Sequence, residues 1–273
     1  MERLGEVPAS PRRHAVMLAG PPGSGKSHLR ANELAEDVAD HLVVDPDDIK
    51  GWLLRGAEHD GSFGEFLKPR EVAELEARGE VFFPMELSAL VHVEAVQVAS
   101  GLRGEAMRRG LPVVIDGVLS DAGQALDDAR QLDGVGYALE VVCLDVAPAV
   151  SEHQIRERWR GAYEQALEGR GDLMGGRWVP SSFAQHVLNG PGGRSLPALS
   201  AERVAQEVDA VERYRVFTRS EVDAPTVLAI DHMRVSPGAP LIDTDAARAH
   251  RTALPRSSRR AGGREADERG LGR

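Results

Sequence analysis

The chain has 273 residues, 33 Lys and Arg against 43 Asp and Glu for a net charge of −10, and 42% hydrophobic residues. That suits one large α/β domain with insertions, while the acidic balance argues against a duplex nucleic-acid binder, which presents a basic face. No apolar run reaches the ~18 residues of a membrane helix. The single cysteine, Cys143, excludes an internal disulfide framework and fits a reducing, cytoplasmic setting. The first thirteen residues are charged and lack the apolar core of a secretion signal.

Residues 14–19 (HAVMLA) read as a short buried strand, followed by a glycine-rich segment and a helix over 27–38. Residues 41–45 (HLVVD) are a second strand, and the pattern from 46 to 84 is mixed, with helical stretches near 48–55 and 68–78. Leu87, Leu90, Val91, Val98 and Leu102 recur at helical spacing and predict one long helix over 85–109, closed by Gly110. Residues 112–116 (PVVID) form a third strand and 137–145 a fourth, with Cys143 as a buried strand residue. Residues 150–167 read as a charged helix. The Gly- and Pro-rich stretch 169–197 predicts a mobile loop with a short helix near 183–188. A helix over 200–211 with Ser200 as N-cap follows, then strands at 213–218 and 226–230. From Asp243 on, little is available to bury, and SSRRAGGR at 257–264 predicts a disordered Arg-rich tail. The expectation is a single domain over 1–242 and a tail over 243–273. Alternating strands and helices imply a doubly wound, mainly parallel sheet with helices on both faces.

The segment Gly20-Pro21-Pro22-Gly23-Ser24-Gly25-Lys26-Ser27 matches G-x-x-x-x-G-K-[ST] in full, between a strand and a helix. Its glycines let backbone N–H groups approach phosphate oxygens, Lys26 reaches the β- and γ-phosphates, and the Ser27 hydroxyl ligates Mg²⁺. Only three residues are lysines, Lys26, Lys50 and Lys68, in a chain that otherwise uses arginine. A compact ammonium fits among phosphate oxygens where a planar guanidinium does not.

Asp45-Pro46-Asp47-Asp48 ends the second strand, on the side where ligands of open parallel sheets bind. One carboxylate there can deprotonate an attacking hydroxyl, and Asp47 is the candidate. Asp45 suits a helix cap or a metal's outer shell, and capping alone accounts for an Asp at such a turn. Asp116, ending PVVID, resembles a Walker B acid; it can instead grip substrate hydroxyls or form a turn before Gly117. Of Arg156, Arg158, Arg160, Arg170 and Arg177, any one is explained by a solvated pair with a glutamate, but phosphoryl transfer needs cations at the moving phosphate. His92 and Glu94, two apart, share no helix face, so a single polar contact is expected rather than a metal pair.

Over roughly residues 16–220 the ordered set of motifs resembles the zeta toxin family of P-loop kinases. Asp45 and Asp47 match an Asp-x-Asp pair, Asp116-Gly117-Val118 an acid-Gly-Thr strand end, and Glu157-Arg158-Trp159-Arg160-Gly161-Ala162-Tyr163 a Glu-Arg-Tyr-x-x-x-Tyr helix. Arg177-Trp178-Val179-Pro180 matches Arg-x-x-Pro, and 214–219 (YRVFTR) a last strand. The resemblance implies a kinase using ATP or GTP with Mg²⁺ that phosphorylates the 3'-hydroxyl of UDP-N-acetylamino sugars and so blocks peptidoglycan precursors. A small antitoxin is a further implied partner. It makes Asp47 the general base, Arg158 and Arg177 the stabilisers of the transferred group, and Asp116 and Lys50 contacts to the nucleotide sugar. The departures all touch the acceptor: Asp for Glu at 116, Val118 for Thr, and Gly51-Trp52 after Lys50 where His-Pro is common. The rival readings are a kinase of another small hydroxylated metabolite, a non-catalytic nucleotide switch, and a polynucleotide-end kinase. The acidic charge and only 6 Phe and 3 Tyr for base stacking argue against the last.

Overall fold

The computed structural model describes residues 13–253. Seven strands form one sheet in the order β2-β3-β1-β4-β5-β6-β7. They are β1 (His14–Ala19), β2 (Leu42–Val44), β3 (Val113–Asp116), β4 (Ala138–Val146), β5 (Val211–Arg219), β6 (Val227–Arg234) and β7 (Leu241–Asp243). The first five in this order are parallel, and an added edge follows in which β6 pairs antiparallel with β5 and β7 antiparallel with β6. β1 is central, so its residues are buried on both faces and alternate between two cores. Ala15, Met17 and Ala19 join one apolar cluster, and Val16 and Leu18 the other.

The helices are α1 (Lys26–Asn32), α2 (Pro46–Asp60), α3 (Arg70–Glu76), α4 (His92–Arg109), α5 (Ala122–Gly134), α6 (Pro148–Leu167), α7 (Ser181–Leu188), α8 (Leu196–Glu207) and α9 (Thr244–Ala253). One sheet face is covered by residues of α4, α5 and α8, the other by Leu29, Leu34, Val38 and Val150.

Several local expectations are corrected. The first helix stops at Asn32 and continues as turns, although Leu34 and Val38 stay buried. The long helix over 85–109 is two pieces, a 3₁₀ segment Pro84–Val91 and then α4. Its inward stripe is Ala95, Ala99 and Ala106, while Leu90 and Val98 are exposed. Small side chains let the helix approach the sheet closely, so residue size chose the face. Ser195, not Ser200, caps α8: its hydroxyl accepts from Ala198 N–H at 3.3 Å and donates to Asp145 at 2.6 Å, and Ser200 is buried within the helix. Val211 begins β5. The chain also continues past 243 as a packed helix. Thr244 and Ala247 of α9 are buried, and the Thr244 hydroxyl donates to Asp231 of β6 at 2.8 Å. The rest of the expected tail, including 257–264, lies outside the described residues.

Candidate active site

The loop after β1 is shaped by its glycines. Gly23 and Gly25 have φ of +67° and +98°, which L side chains rarely adopt. A Cβ on Gly20 would lie 2.7 Å from the Leu144 carbonyl, and one on Gly23 2.5 Å from the Ser151 carbonyl. Lys26 lies across this turn, its Nζ donating to the Gly20 carbonyl at 2.9 Å. Burial pushes its ammonium down from the ordinary lysine range, against the pull of Asp116, Asp47 and Asp45. The Ser24 hydroxyl is buried and lacks a hydrogen-bond partner. No side chain caps α1 where it begins at Gly25, and Ser27 is exposed in its first turn. An orphaned hydroxyl, a helix start that no side chain caps and an ammonium held down by burial around one turn fit an anion such as a polyphosphate.

The acids converge from the ends of β2 and β3. Asp45 caps α2, accepting from Asp47 N–H at 2.8 Å, as its position at the turn allowed; burial pushes its carboxyl up. Asp47, in the first turn of α2, accepts from Lys50 Nζ at 3.0 Å and pairs with Arg177. Burial alone would raise its carboxyl, but Arg177 and Lys50 outweigh it and hold it down to about 2. Asp116 pairs in register with Leu18 of β1, which places it beside the phosphate loop. It is buried, and burial pushes it up to about 6 against Lys26 and Arg30; Arg30 of α1 bonds it at 2.7 Å. Asp116 therefore has an internal cation as well as any ligand it meets. Burial and then Lys50 lower the pKa of His92, at the start of α4, against the pull of Asp47.

Helix α6 brings in Arg158 by its period. The Ser151 hydroxyl donates to the Pro22 carbonyl at 2.7 Å, and Ile155 packs on Gly23. With its amide turned to satisfy both neighbours, Gln154 donates to the Gly23 carbonyl at 2.8 Å and accepts from Arg219 at 2.5 Å. Residues 151, 154 and 155 grip the loop, and Arg158 continues that face by one turn. Its side chain is solvent-exposed, yet crowding of the cleft wall and then Arg177 lower its pKa to about 10. The other arginines of the set are surface pairs: Arg156 with Glu152, Arg160 with Glu157, and Arg170 with Glu168.

Arg177 sits on a fixed segment rather than the mobile loop its Gly and Pro content suggests. Met174, Gly175 and Gly176 are buried, Met85 N–H donates to the Met174 carbonyl at 2.9 Å, and Asp172 pairs with Arg55 at 2.8 Å. The glycines serve close packing here, not freedom. The result is one cleft in which Lys26, Lys50, Arg30, Arg158 and Arg177 surround Asp45, Asp47 and Asp116. In an otherwise acidic chain, this local excess of cations is what an anionic ligand requires.

Residues 71–222, more than half of the chain, match the family profile described as Zeta toxin. The chain belongs to the zeta toxin family. The match takes in Asp116, Arg158 and Arg177 and begins after the phosphate loop and Asp47. No curated protein matches by sequence. Among solved structures, the PezAT chromosomal toxin–antitoxin system of the human pathogen Streptococcus pneumoniae aligns with a TM-score of 0.52 at 16% identity. It covers 82% of this chain and 73% of that one. The complex of AvrRxo1-ORF1 and AvrRxo1-ORF2 with ATP aligns with a TM-score of 0.54 at 16% identity, over 92% of this chain and 66% of that one. These likenesses extend the shared P-loop kinase fold across nearly the whole of this zeta toxin family chain.

Arg30, Ser151, Gln154 and Glu86 were not singled out in the sequence. For Ser151, Gln154 and Arg158 a signal existed, since they recur at helical spacing, and for Glu86 its place three residues after Phe83 at a helix start was a local one; the Glu86–Trp159 and Arg30–Asp116 partners are distant in the chain, and no local pattern marks them.

Among the described residues no helix is long and apolar enough to cross a membrane.

Proposed function

We propose that this chain is an ATP-dependent kinase that transfers the γ-phosphate to a hydroxyl of a nucleotide-linked sugar, the 3'-hydroxyl of UDP-N-acetylglucosamine in the closest form of the reading. The observation that carries it is the meeting of Asp47 with Lys26, Arg158 and Arg177 in one cleft at the carboxyl ends of β1 and β2.

In this reading Asp47 accepts the proton of the acceptor hydroxyl as its oxygen bonds to the γ-phosphorus and the bond to the β-phosphate oxygen breaks, leaving ADP. A carboxylate held near 2 is a weak base. It suffices because phosphoryl transfer is largely dissociative and the proton leaves late, when the hydroxyl has become acidic. Arg177 must also choose between Asp47 and phosphate. When it turns to the γ-phosphoryl oxygens, Asp47 loses its strongest cation and becomes the better base. Arg158 has no ion-pair partner among the described residues and needs no such exchange. Lys26 and the loop hold the β- and γ-phosphates. Mg²⁺, held by the Ser27 hydroxyl, would supply charge neutralisation between the phosphates.

On the acceptor side, Lys50 beside Asp47 suits an anionic diphosphate, and Asp116 suits a sugar hydroxyl or amide N–H. The shorter Asp116, engaged by Arg30, favours an acceptor drawn closer to the sheet. Family membership, and structural likeness to the PezAT toxin–antitoxin system, support a toxin restrained by a small antitoxin. The test is incubation with ATP, Mg²⁺ and a panel of UDP-sugars, with mass spectrometry for an added phosphoryl group. Phosphorylation of UDP-N-acetylglucosamine supports the full reading, and of another hydroxylated metabolite the kinase alone. ATP binding without transfer to any acceptor overturns it in favour of a nucleotide switch.

A further inference from the structure

The two cleft arginines belong to different elements, yet both hang from one aromatic node. Trp159 directly follows Arg158, and its indole Nε1–H donates to Glu86 Oε1 at 3.0 Å. Gly176 directly precedes Arg177 and lies flat on the Trp159 backbone, where a Cβ would come within 2.3 Å of the Trp159 carbonyl oxygen and 2.8 Å of its Cα. Gly175 meets Phe83 in the same way, at 2.3 Å from its Cβ. The Phe83 N–H donates to the other oxygen of Glu86, at 2.9 Å. Around this point the rings of Phe83, Tyr163, Trp159 and Trp178 contact one another in sequence, with centroids 5.3–5.4 Å apart. Glu86 forms no ion pair among the described residues, so these two N–H groups are the strong partners of its carboxylate.

We propose that Glu86 is a positioning residue: its carboxylate locks Trp159 and the 83–85 backbone into a floor under residues 174–177, and so sets where Arg158 and Arg177 stand against Asp47. The catalytic consequence rests on the kinase reading; the structural one does not. A glutamate is suited because each oxygen serves one N–H. Glutamine has one carbonyl oxygen and serves one of the two. Displacing a positioned group by about 1 Å costs on the order of 10²-fold in rate.

The test compares Glu86→Ala, Glu86→Gln and Trp159→Phe, the last keeping a ring but losing the indole N–H. Glu86→Ala should lower kcat by about 10²-fold with the KM for ATP within a few-fold, because the phosphate loop is untouched. Glu86→Gln should recover part of the loss and Trp159→Phe should resemble Glu86→Ala. In an Arg177→Ala background the Glu86→Ala loss should shrink, since part of what it positions is already gone. Hydrogen exchange gives a readout free of activity: amides of 172–178 and of Met85 should exchange faster in Glu86→Ala, with β1 and β4 unchanged. Folded Glu86→Ala with wild-type exchange in 172–178, or with wild-type kcat, overturns the proposal. If Glu86→Ala does not fold, the same criteria pass to Glu86→Gln and Trp159→Phe. If the wild-type protein transfers no phosphate to any acceptor, the kinase reading has failed, and exchange alone decides the positioning.

Discussion

Asp47 and Arg177, on elements far apart in the chain, form an ion pair in the cleft, and Lys50 bonds the same carboxylate from one helical turn away. Replacing Arg177 by Ala removes the stronger of the two cations on Asp47 and a cation from the moving phosphate. The Asp47 carboxyl should rise from about 2 toward the ordinary aspartate range. The rate should fall by ~10³–10⁵-fold, as for other arginines that stabilise a transferring phosphoryl group, with ATP affinity little changed. Arg158→Ala should lower the rate similarly without moving Asp47 as far. Arg→Lys at either should rescue partly, because the planar fork is lost. Single-turnover rates, ATP calorimetry and carboxylate titration check this, and rates within a few-fold of wild type for both Ala variants would remove the arginines from the mechanism.

The two acids of the second strand should separate by phenotype. Asp47→Asn keeps shape but cannot take a proton, so turnover should drop ~10²–10⁴-fold while nucleotide binding persists. Asp45→Ala removes the cap of α2 and should cost about 0.5–2 kcal/mol of stability. Thermal unfolding and turnover measured on both variants would show the assignment to be reversed if Asp45→Ala were stable but dead and Asp47→Asn unstable but active.

Lys26→Ala should abolish transfer and leave the fold intact. In the nucleotide-free protein the ammonium does little beyond donating to loop carbonyls, and burial disfavours its charge. Circular dichroism should be unchanged, and a variant retaining near wild-type rate would refute the loop's role.

A pH dependence of stability should arise at the other end of the sheet. His14 Nδ1 and His41 Nε2 lie 2.8 Å apart, so at neutral pH they share one proton between them. Burial, then His14, lower the His41 pKa to about 4. In the unfolded chain it titrates near 6.5, so the unfolded state binds more protons between these values and stability is lost as pH falls from about 6.5 to about 4. After discounting for its partial exposure, the loss is on the order of 1–2 kcal/mol. Asp116 acts with the opposite sign: its carboxyl is raised to about 6, so its destabilisation is present above pH 6 and relieved as pH falls. Comparing wild type with His41→Gln between pH 7 and pH 4.5 isolates the histidine, and an unchanged slope would eliminate it.

Truncation after Asp243 should lower the melting temperature by several degrees. It removes buried Thr244 and Ala247 and leaves Asp231 without the Thr244 hydroxyl. A loss of about 1–2 kcal/mol corresponds to roughly 2–8 °C for a domain of this size. An unchanged melting temperature would show that α9 contributes nothing to stability.

The amino-acid sequence by itself determined the phosphate loop, the parallel strands that flank it, and the two acids after the second strand. Each is written in neighbouring residues: glycines where φ turns positive, apolar runs where a strand is covered on both faces, an Asp where a strand meets a helix. Charge pattern alone left Arg158 and Arg177 alike with Arg156, Arg160 and Arg170, and the resemblance of the ordered motifs set the two apart. Only the tertiary structure supplies a physical reason, with the other three in surface pairs. A charged helix has a solvated face and a covered one, and what covers it here is Gly23 and Pro22, more than a hundred residues away in the chain. The same limit hid the Arg30–Asp116 pair, the alanine stripe of α4 and the Glu86–Trp159 bond. The glycines at 175 and 176 read locally as freedom, yet they are the residues that let the chain press onto Phe83 and Trp159. Glycine permits both a loose loop and a close contact, and which of the two it supplies depends on what lies opposite.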